Sequence, residues 1–277
     1  MRVKLHNLFI LTLICFAPLK GVLANDSYSE LEIGVGVFGV SLPDYPGSEE
    51  QSNYLVPLPY IYYQDERFEI DRQGIKSWLW HDDKWYLDIS VSGGIPVKSE
   101  DNIARKGMPD LGWSAELGPS IKYYWEGNPQ ADDYLSTEFY VRKVAATDFS
   151  SIDDAGWRSG FQLSNKKVFY FSENNQLEWE TIVDVQFADE SLLDYFYGVD
   201  PEYATEIRPE YTNNGGYAGS RISTGFVWKR NALWLGSFVT YYALNGTEQV
   251  SSPLVTTKSG WSYGLGVIWI FYQDKGK

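Results

Sequence analysis

Four groups of residues could do chemistry. The first is Gly34-Val35-Gly36-Val37-Phe38-Gly39, which has the glycine spacing of a dinucleotide-binding turn. That chemistry needs a strand before the glycines and a helix after them, so that the helix N-terminus meets the pyrophosphate. Pro43 and Pro46 follow instead, with no helical pattern, so the run reads as a glycine-rich strand. The second is His81 beside Asp82 and Asp83, the makings of a base and its orienting carboxylate. No neighbouring motif marks a nucleophilic serine, and the two aspartates suit a short turn. The third is a series of charges on the polar faces of alternating segments: Glu116, Lys122, Glu126, Glu138, Arg142, Glu178, Glu180, Asp184 and Arg221. They could line a solute path biased to cations, or pair off and fill a narrow barrel. The fourth is an aromatic stretch with Tyr195, Phe196, Tyr197, Arg208 and Tyr211, either a contact loop or a self-packed one. Asn245-Gly246-Thr247 reads as a turn. Nothing here calls for a catalytic residue, a cofactor or a metal, and the expectation is a non-enzymatic protein.

The elements that hold these residues alternate with period two. In Gly112 to Glu126 one face carries Trp113, Ala115, Leu117, Pro119, Ile121, Tyr123 and Trp125, and the other Ser114, Glu116, Gly118, Ser120, Lys122, Tyr124 and Glu126. Side chains alternate across a strand, so this segment has one oily and one polar face. Trp85–Pro96, Leu177–Phe187 and Trp261–Phe271 repeat the pattern. A soluble sandwich also alternates, but three features favour a membrane barrel. Many segments reach the roughly 9–11 residues that cross a bilayer. Trp and Tyr gather near segment ends, as in Trp78-Leu79-Trp80 and Tyr123-Tyr124-Trp125, where membrane interfaces favour them. Whole charges on the polar face would each cost several kcal/mol in a dry core, whereas a hydrated lumen accepts them.

The expected fold is therefore all-β, a transmembrane antiparallel β-barrel of about 12 strands, with 10 as the alternative. The strands expected are Ser29–Leu42, Tyr54–Tyr63, Phe68–Trp80, Trp85–Pro96, Gly112–Glu126, Tyr134–Ala146, Gly156–Ser164, Lys167–Ser172, Leu177–Phe187, Tyr217–Lys229, Leu233–Leu244 and Gly260–Tyr272. Tight turns are expected at Gln64–Arg67, His81–Lys84, Glu173–Gln176 and Lys229–Ala232, and external loops at Ala188–Gly216 and Asn245–Ser259. This register places the long connection Val97–Leu111 at the end with the short turns.

Residues 1–24 read as a secretory leader: basic Arg2 and Lys4, an apolar core from Leu8 to Ala17, and Val22-Leu23-Ala24 before polar Asn25. Residues 25–277 form the barrel domain. Cys15, the one cysteine, sits in the leader, so the mature chain can make neither a disulfide nor a thiolate metal site. Loss of the leader leaves 20 basic against 37 acidic residues, a net −17. Such a surface repels phosphates, which excludes nucleic acid as a partner. Outer-membrane lipid is the expected surrounding.

Two stretches carry a resemblance. Pro43-Asp44-Tyr45-Pro46-Gly47-Ser48, with Tyr54, Pro57-Leu58-Pro59-Tyr60-Ile61 and Arg67-Phe68, resembles the N-terminal signature of the MipA/OmpV outer-membrane family. Asp194-Tyr195-Phe196-Tyr197-Gly198-Val199, followed by Arg208-Pro209-Glu210-Tyr211, resembles a second family segment. Together with the terminal Gly/aromatic strand they span nearly all of the mature chain. The chain departs from the usual barrel ending, since Gln273-Asp274-Lys275-Gly276-Lys277 follow Phe271-Tyr272. The resemblance implies an outer-membrane barrel that acts as a scaffold between a lytic transglycosylase and a penicillin-binding protein in murein synthesis. Other members are linked to osmotic response, adhesion or antibiotic passage, so a passive channel or uptake route with a charged lumen is the alternative.

Overall fold

A computed structural model describes residues 30–64, 68–71 and 74–275. The leader expected over residues 1–24, with Cys15, and most of the turn expected at Gln64–Arg67 lie outside the described residues.

Twelve antiparallel strands close into a barrel. They are β1 (Glu30–Pro43), β2 (Gln51–Gln64), β3 (Phe68–Asp71), β4 (Gly74–His81), β5 (Trp85–Gly94), β6 (Trp113–Glu126), β7 (Tyr134–Thr147), β8 (Ile152–Ser172), β9 (Asn175–Ala188), β10 (Gly216–Arg230), β11 (Leu233–Ala243) and β12 (Ser259–Lys275). One helix, α1 (Glu190–Tyr197), stands in the β9–β10 connection. Closure comes from β1 against β12, in register from Glu30↔Lys275 to Ser41↔Tyr263 with one irregularity at Ile33/Gly34. Pairing runs along the strands except at β2–β3, where the described pairs are Tyr63↔Ile70 and Gln64↔Glu69, and at β4–β5, where they are Trp78↔Asp88, Trp80↔Leu87 and His81↔Tyr86. Ladders of this kind are what let strands cross hydrocarbon.

The outward face is apolar over most of the circumference. Ile89, Val91, Leu117, Ile121, Leu163, Val183, Ile222, Leu235, Val239 and Leu265 are exposed there. Aromatic rings bracket them: Trp157, Phe187, Trp261 and Tyr263 toward one end, and Trp80, Trp85, Trp125, Phe171 and Tyr272 toward the other. In water this much exposed apolar surface would be a severe liability. In a bilayer it is the expected belt with its two aromatic girdles. The outward Trp125 and Trp179 donate their indole N–H groups to Thr137 Oγ1 (2.9 Å) and Thr224 Oγ1 (2.8 Å), so these two polar hydrogens do not face lipid unpaired.

Two strand expectations are corrected, and the corrections cancel in the count. Phe68–Trp80 is a hairpin of β3 and β4, not one strand. Its alternation changes parity between Ile70 and Ile75, as a turn requires. Gly156–Ser164 and Lys167–Ser172 are one strand, β8, 21 residues long. The polar run Asn165-Lys166-Lys167 stays paired with β9, Lys166 opposite Glu180, because a strand that long extends beyond the hydrocarbon. The hairpin also moves the Val97–Leu111 connection to the opposite end. All the long connections (44–50, 95–112, 189–215 and 244–258) then share one end with the short 148–151. Both strand termini and the turns at 82–84, 127–133, 173–174 and 231–232 share the other. Short turns mark the periplasmic side of such barrels and long loops the outer side.

The glycine run at Gly34–Gly39 is strand β1, paired on both sides. A Cβ on Gly36 would lie 2.8 Å from Ile268 Cγ1, and one on Gly34 2.9 Å from Ile270 Cδ1. The glycines admit close side-chain packing from β12 and are not followed by a helix.

Candidate functional site: a capped mouth above a charged belt

The long-loop end is closed by a small core of its own. α1 begins at Asp189, whose carboxylate accepts from Leu192 N (2.9 Å). The helix lays Leu192, Leu193 and Tyr197 against Val144, Ala146, Ala155, Ala188 and Ala218 of the barrel wall. Alanines on β7 to β10 leave the room that the helix fills. Tyr45, Val97 and Leu111 complete this cluster from the other loops.

Hydrogen bonds then tie the four long connections to one another. Tyr45 Oη donates to Leu254 O and Tyr197 Oη to Pro46 O, both at 2.8 Å. Ser252 Oγ donates to Tyr197 O at 2.7 Å. Arg105 is buried, with its Nη1 on Phe196 O (2.9 Å), its Nη2 on Pro109 O (3.2 Å), and its guanidinium over the Tyr45 ring. Arg208 Nη1 reaches Ala104 O (2.9 Å) and Lys106 O (3.0 Å). Tyr195 Oη accepts from Gly112 N (2.8 Å), and Tyr211 Oη donates to Glu248 O (3.1 Å). The residues of the expected contact loop therefore face their own neighbours. Tyr195, Phe196 and Tyr197 pack into the cap, and Arg208 and Tyr211 bind loop carbonyls.

Burial pushes the Tyr197 hydroxyl up to about 12, and Tyr45 is raised further for the same first reason, the loss of water around the phenolate. Both rings are neutral in the cap. Their stabilising contribution is complete below the ordinary tyrosine value of about 10. It is lost as pH rises from there toward about 12. Alkaline titration followed by tyrosinate absorbance should show a late-ionising class, and Tyr197→Phe should shrink that class by one tyrosine. An unchanged late amplitude in the variant would show that Tyr197 is not sealed from water.

Below the cap the wall from β5 to β10 carries a belt of paired charges. Glu116 accepts from Arg158 Nε at 3.0 Å and lies 3.6 Å from Arg142 Nη1. Arg142 also donates twice to Ser90 Oγ, at 3.0 and 2.6 Å. Arg158 continues to Gln186 Oε1 (3.2 Å), and Gln186 Nε2 to Asp184 Oδ2 (2.7 Å). Asp184 is fully buried and also accepts from Tyr140 Oη (3.1 Å) and Arg221 Nε (3.0 Å). The Tyr140 ring lies under the Arg142 guanidinium, 4.0 Å from its centroid, and against Gly160, where a Cβ would collide with it. Nearer the periplasmic end, Lys122 meets Glu138 at 3.2 Å, Lys229 meets Glu178 at 2.5 Å, and Tyr134 Oη donates to Glu180 at 2.7 Å.

Of the charges expected in the lumen, then, Glu116, Arg142, Asp184 and Arg221 come together in one network. Lys122 with Glu138, and Glu178 with Glu180, stand below it. Glu126 is apart from all of these, exposed at the last residue of β6. Arg158, Tyr140 and Gln186 were not singled out from the sequence. Arg158 could have been, since alternation sets it with Gln162 and Ser164 opposite Trp157, Phe161 and Leu163.

His81 ends β4, exposed, with its ring stacked on Tyr86 at 5.2 Å. Asp82 Oδ1 accepts from Lys84 N (2.9 Å) and Trp85 N (2.8 Å), and these two bonds hold its carboxyl below the usual range. The aspartate is occupied in closing the turn. Among the described residues no group of three or more His, Cys, Asp or Glu side chains is placed to hold a metal ion.

A closed antiparallel barrel with an apolar belt, two aromatic girdles and a capped mouth defines an outer-membrane β-barrel protein. The chain belongs to the family of MltA-interacting protein MipA, whose model matches residues 34–271. Among solved structures it is similar to the NanC porin at 11% identity, covering 85% of this chain and 98% of that one with a TM-score of 0.36. It is also similar to OmpT of Vibrio cholerae at 8% identity, 90% and 99% coverage and a TM-score of 0.36. A third is the toluene transporter TodX of Pseudomonas putida, at 10% identity, 90% and 69% coverage and a TM-score of 0.28. These are distant likenesses between barrels and say nothing about cargo. No curated protein matches the sequence.

Proposed function

We propose that this protein, exported by a cleaved leader over residues 1–24, is a non-enzymatic outer-membrane scaffold. Its partners are murein-remodelling enzymes, a lytic transglycosylase and a penicillin-binding protein. The observation that carries this reading over an open pore is the cap, in which four loops interlock across the mouth through Tyr45, Arg105 and Tyr197. The family description, an MltA-interacting protein, supports the partner class. The short periplasmic turns, with the exposed Asp82, Asp83, Asp132 and Asp133, are the surface such enzymes can reach.

The charged belt favours a second reading, a solute route that needs the cap to move. Two measurements separate them. Planar bilayers holding the purified barrel should stay silent, and an affinity column of the barrel should retain a lytic transglycosylase. Reproducible single-channel steps that fall on Glu178→Gln or Glu180→Gln, with no enzyme retained, would replace the scaffold with an uptake route. For an enzymatic reading the variant to make is His81→Ala, and envelope function is expected to survive it.

A further inference from the structure

At the periplasmic rim the outer wall is indented. An open groove of about 430 Å³ is lined by Trp228, Arg230, Asn231, Ala232, Leu233 and Trp269. It lies where the two-residue turn of the β10–β11 hairpin meets β12. Leu233 sits opposite Trp269 in register, and Ile270 N donates to Ala232 O at 2.8 Å. Asn231 holds the turn with a positive φ of 50°, a conformation asparagine tolerates better than most residues. Trp228 is fixed by its indole N–H on Asn175 Oδ1 at 2.7 Å.

Alternation sets the chemistry of this groove. Val227 and Lys229 face the lumen, where Lys229 meets Glu178. Trp228 and Arg230 therefore face outward with Leu233 and Trp269, the last of which is 57% exposed. The walls are apolar, and the one ionised group is the Arg230 guanidinium. Two other outward cations have carboxylates, Lys143 with Asp154 and Lys167 with Asp133. Among the described residues none stands within ion-pair distance of Arg230, and the groove contains no acid.

We propose that this groove seats one anionic phospholipid of the periplasmic leaflet, its phosphate on Arg230 and its upper acyl chain between Trp228, Leu233 and Trp269. The position at the lower aromatic girdle puts the guanidinium at headgroup depth and the indoles at the headgroup–acyl boundary. A chain with net charge −14 repels anions over most of its surface, so an unpaired cation above an apolar slot is a local exception. With no carboxylate in the groove there is nothing to pair with an ammonium headgroup, which favours phosphatidylglycerol over phosphatidylcholine.

The test is native mass spectrometry of the full barrel, released from micelles containing equal amounts of phosphatidylglycerol and phosphatidylcholine. The wild type should retain one phosphatidylglycerol in preference. Arg230→Gln should lower that retention about fivefold, the worth of one basic residue at an anionic membrane surface. Ala232→Phe, which fills the slot and leaves the charge, should lower it comparably. Boiling-dependent gel mobility checks that each variant is folded. Retention unchanged in either folded variant, or equal retention of the two lipids, overturns the proposal. So does a lipid-free dimer, which would assign the groove to a second copy of the chain. Excess inorganic phosphate should leave the lipid in place, and displacement by phosphate would reduce the site to a simple anion site.

Discussion

Replacing residues 189–215 with a two-residue turn is expected to convert a silent barrel into one that passes ions in discrete steps. The excision is possible because the segment leaves and re-enters the sheet at paired positions, Ala188 opposite Gly216. Paired residues on adjacent strands lie about 5.5 Å apart, so an Asn-Gly turn can join β9 to β10 directly. The change removes α1 with Leu192, Leu193 and Tyr197, and with it one of the acceptors that hold Arg105 and the acceptor of Ser252 Oγ. Each buried leucine contributes about 1.5–3 kcal/mol, so the remaining loops lose the core on which they close. The strand ladders do not depend on the cap, and heat-modifiable mobility should persist. Conductance in planar bilayers is the measurement. Steps with little preference between cations and anions are expected, because Glu116, Glu138, Glu178 and Asp184 each face a basic side chain. If the excised barrel is still silent, the belt alone closes the lumen and the cap serves another purpose.

That weak selectivity also bears on the chain's strong negative charge. The excess acid is not concentrated in the belt, where carboxylates and cations balance locally. Much of it stands on turns and loops, such as Asp82, Asp83, Asp132, Asp133 and Asp148. Asp148 shows what some of these residues do: its Oδ1 accepts from Ser150 N, Ser150 Oγ and Ser151 N, shaping the turn in which Phe149 takes a φ of 70°.

The faces of the strands were legible because lipid imposes a simple rule. A residue that faces hydrocarbon must be apolar, and its neighbour in the chain is free to be charged, so period-two alternation reads directly as outside and inside. Trp113 through Glu126 follows this rule without exception. Strand boundaries were less legible, for two opposite reasons. The β3–β4 turn interrupts a stretch with apolar residues on either side, and its trace is a parity change between Ile70 and Ile75. The polar run at Asn165–Lys167 resembles a turn but lies in a strand that is longer than the membrane is thick. The family segment around Tyr195–Tyr211 was visible as a distinct stretch. Its inward packing was not, because its partners lie far away in the chain: Pro46, Gly112 and Glu248. Local pattern carries no information about which loops meet across a mouth.

The belt has one member on which several others converge, and its removal should cost most. Asp184 is completely buried, while the side chain of its cationic partner Arg221 is 37% exposed. The two halves of the pair should therefore respond unequally. In Arg221→Ala the carboxylate keeps Tyr140 and Gln186 as donors, and the loss should be about 1.5–3 kcal/mol, that of one hydrogen bond to a charged group. In Asp184→Ala the Tyr140 hydroxyl, the Gln186 amide and the guanidinium lose a common acceptor in a site with little water. Each buried donor left without an acceptor costs about 1–3 kcal/mol, so with Tyr140 and Gln186 both orphaned the loss should exceed that of Arg221→Ala. Asp184→Asn preserves the shape and one acceptor oxygen but not the charge, and should fall between the two. Reversible urea unfolding of the barrel in lipid vesicles measures all three, and a double-mutant cycle between positions 184 and 221 isolates their coupling. Equal losses for Asp184→Ala and Arg221→Ala would mean that the lumen around Asp184 is wet enough to solvate the freed groups. The belt would then be a lining for water rather than a dry tie between β7, β9 and β10.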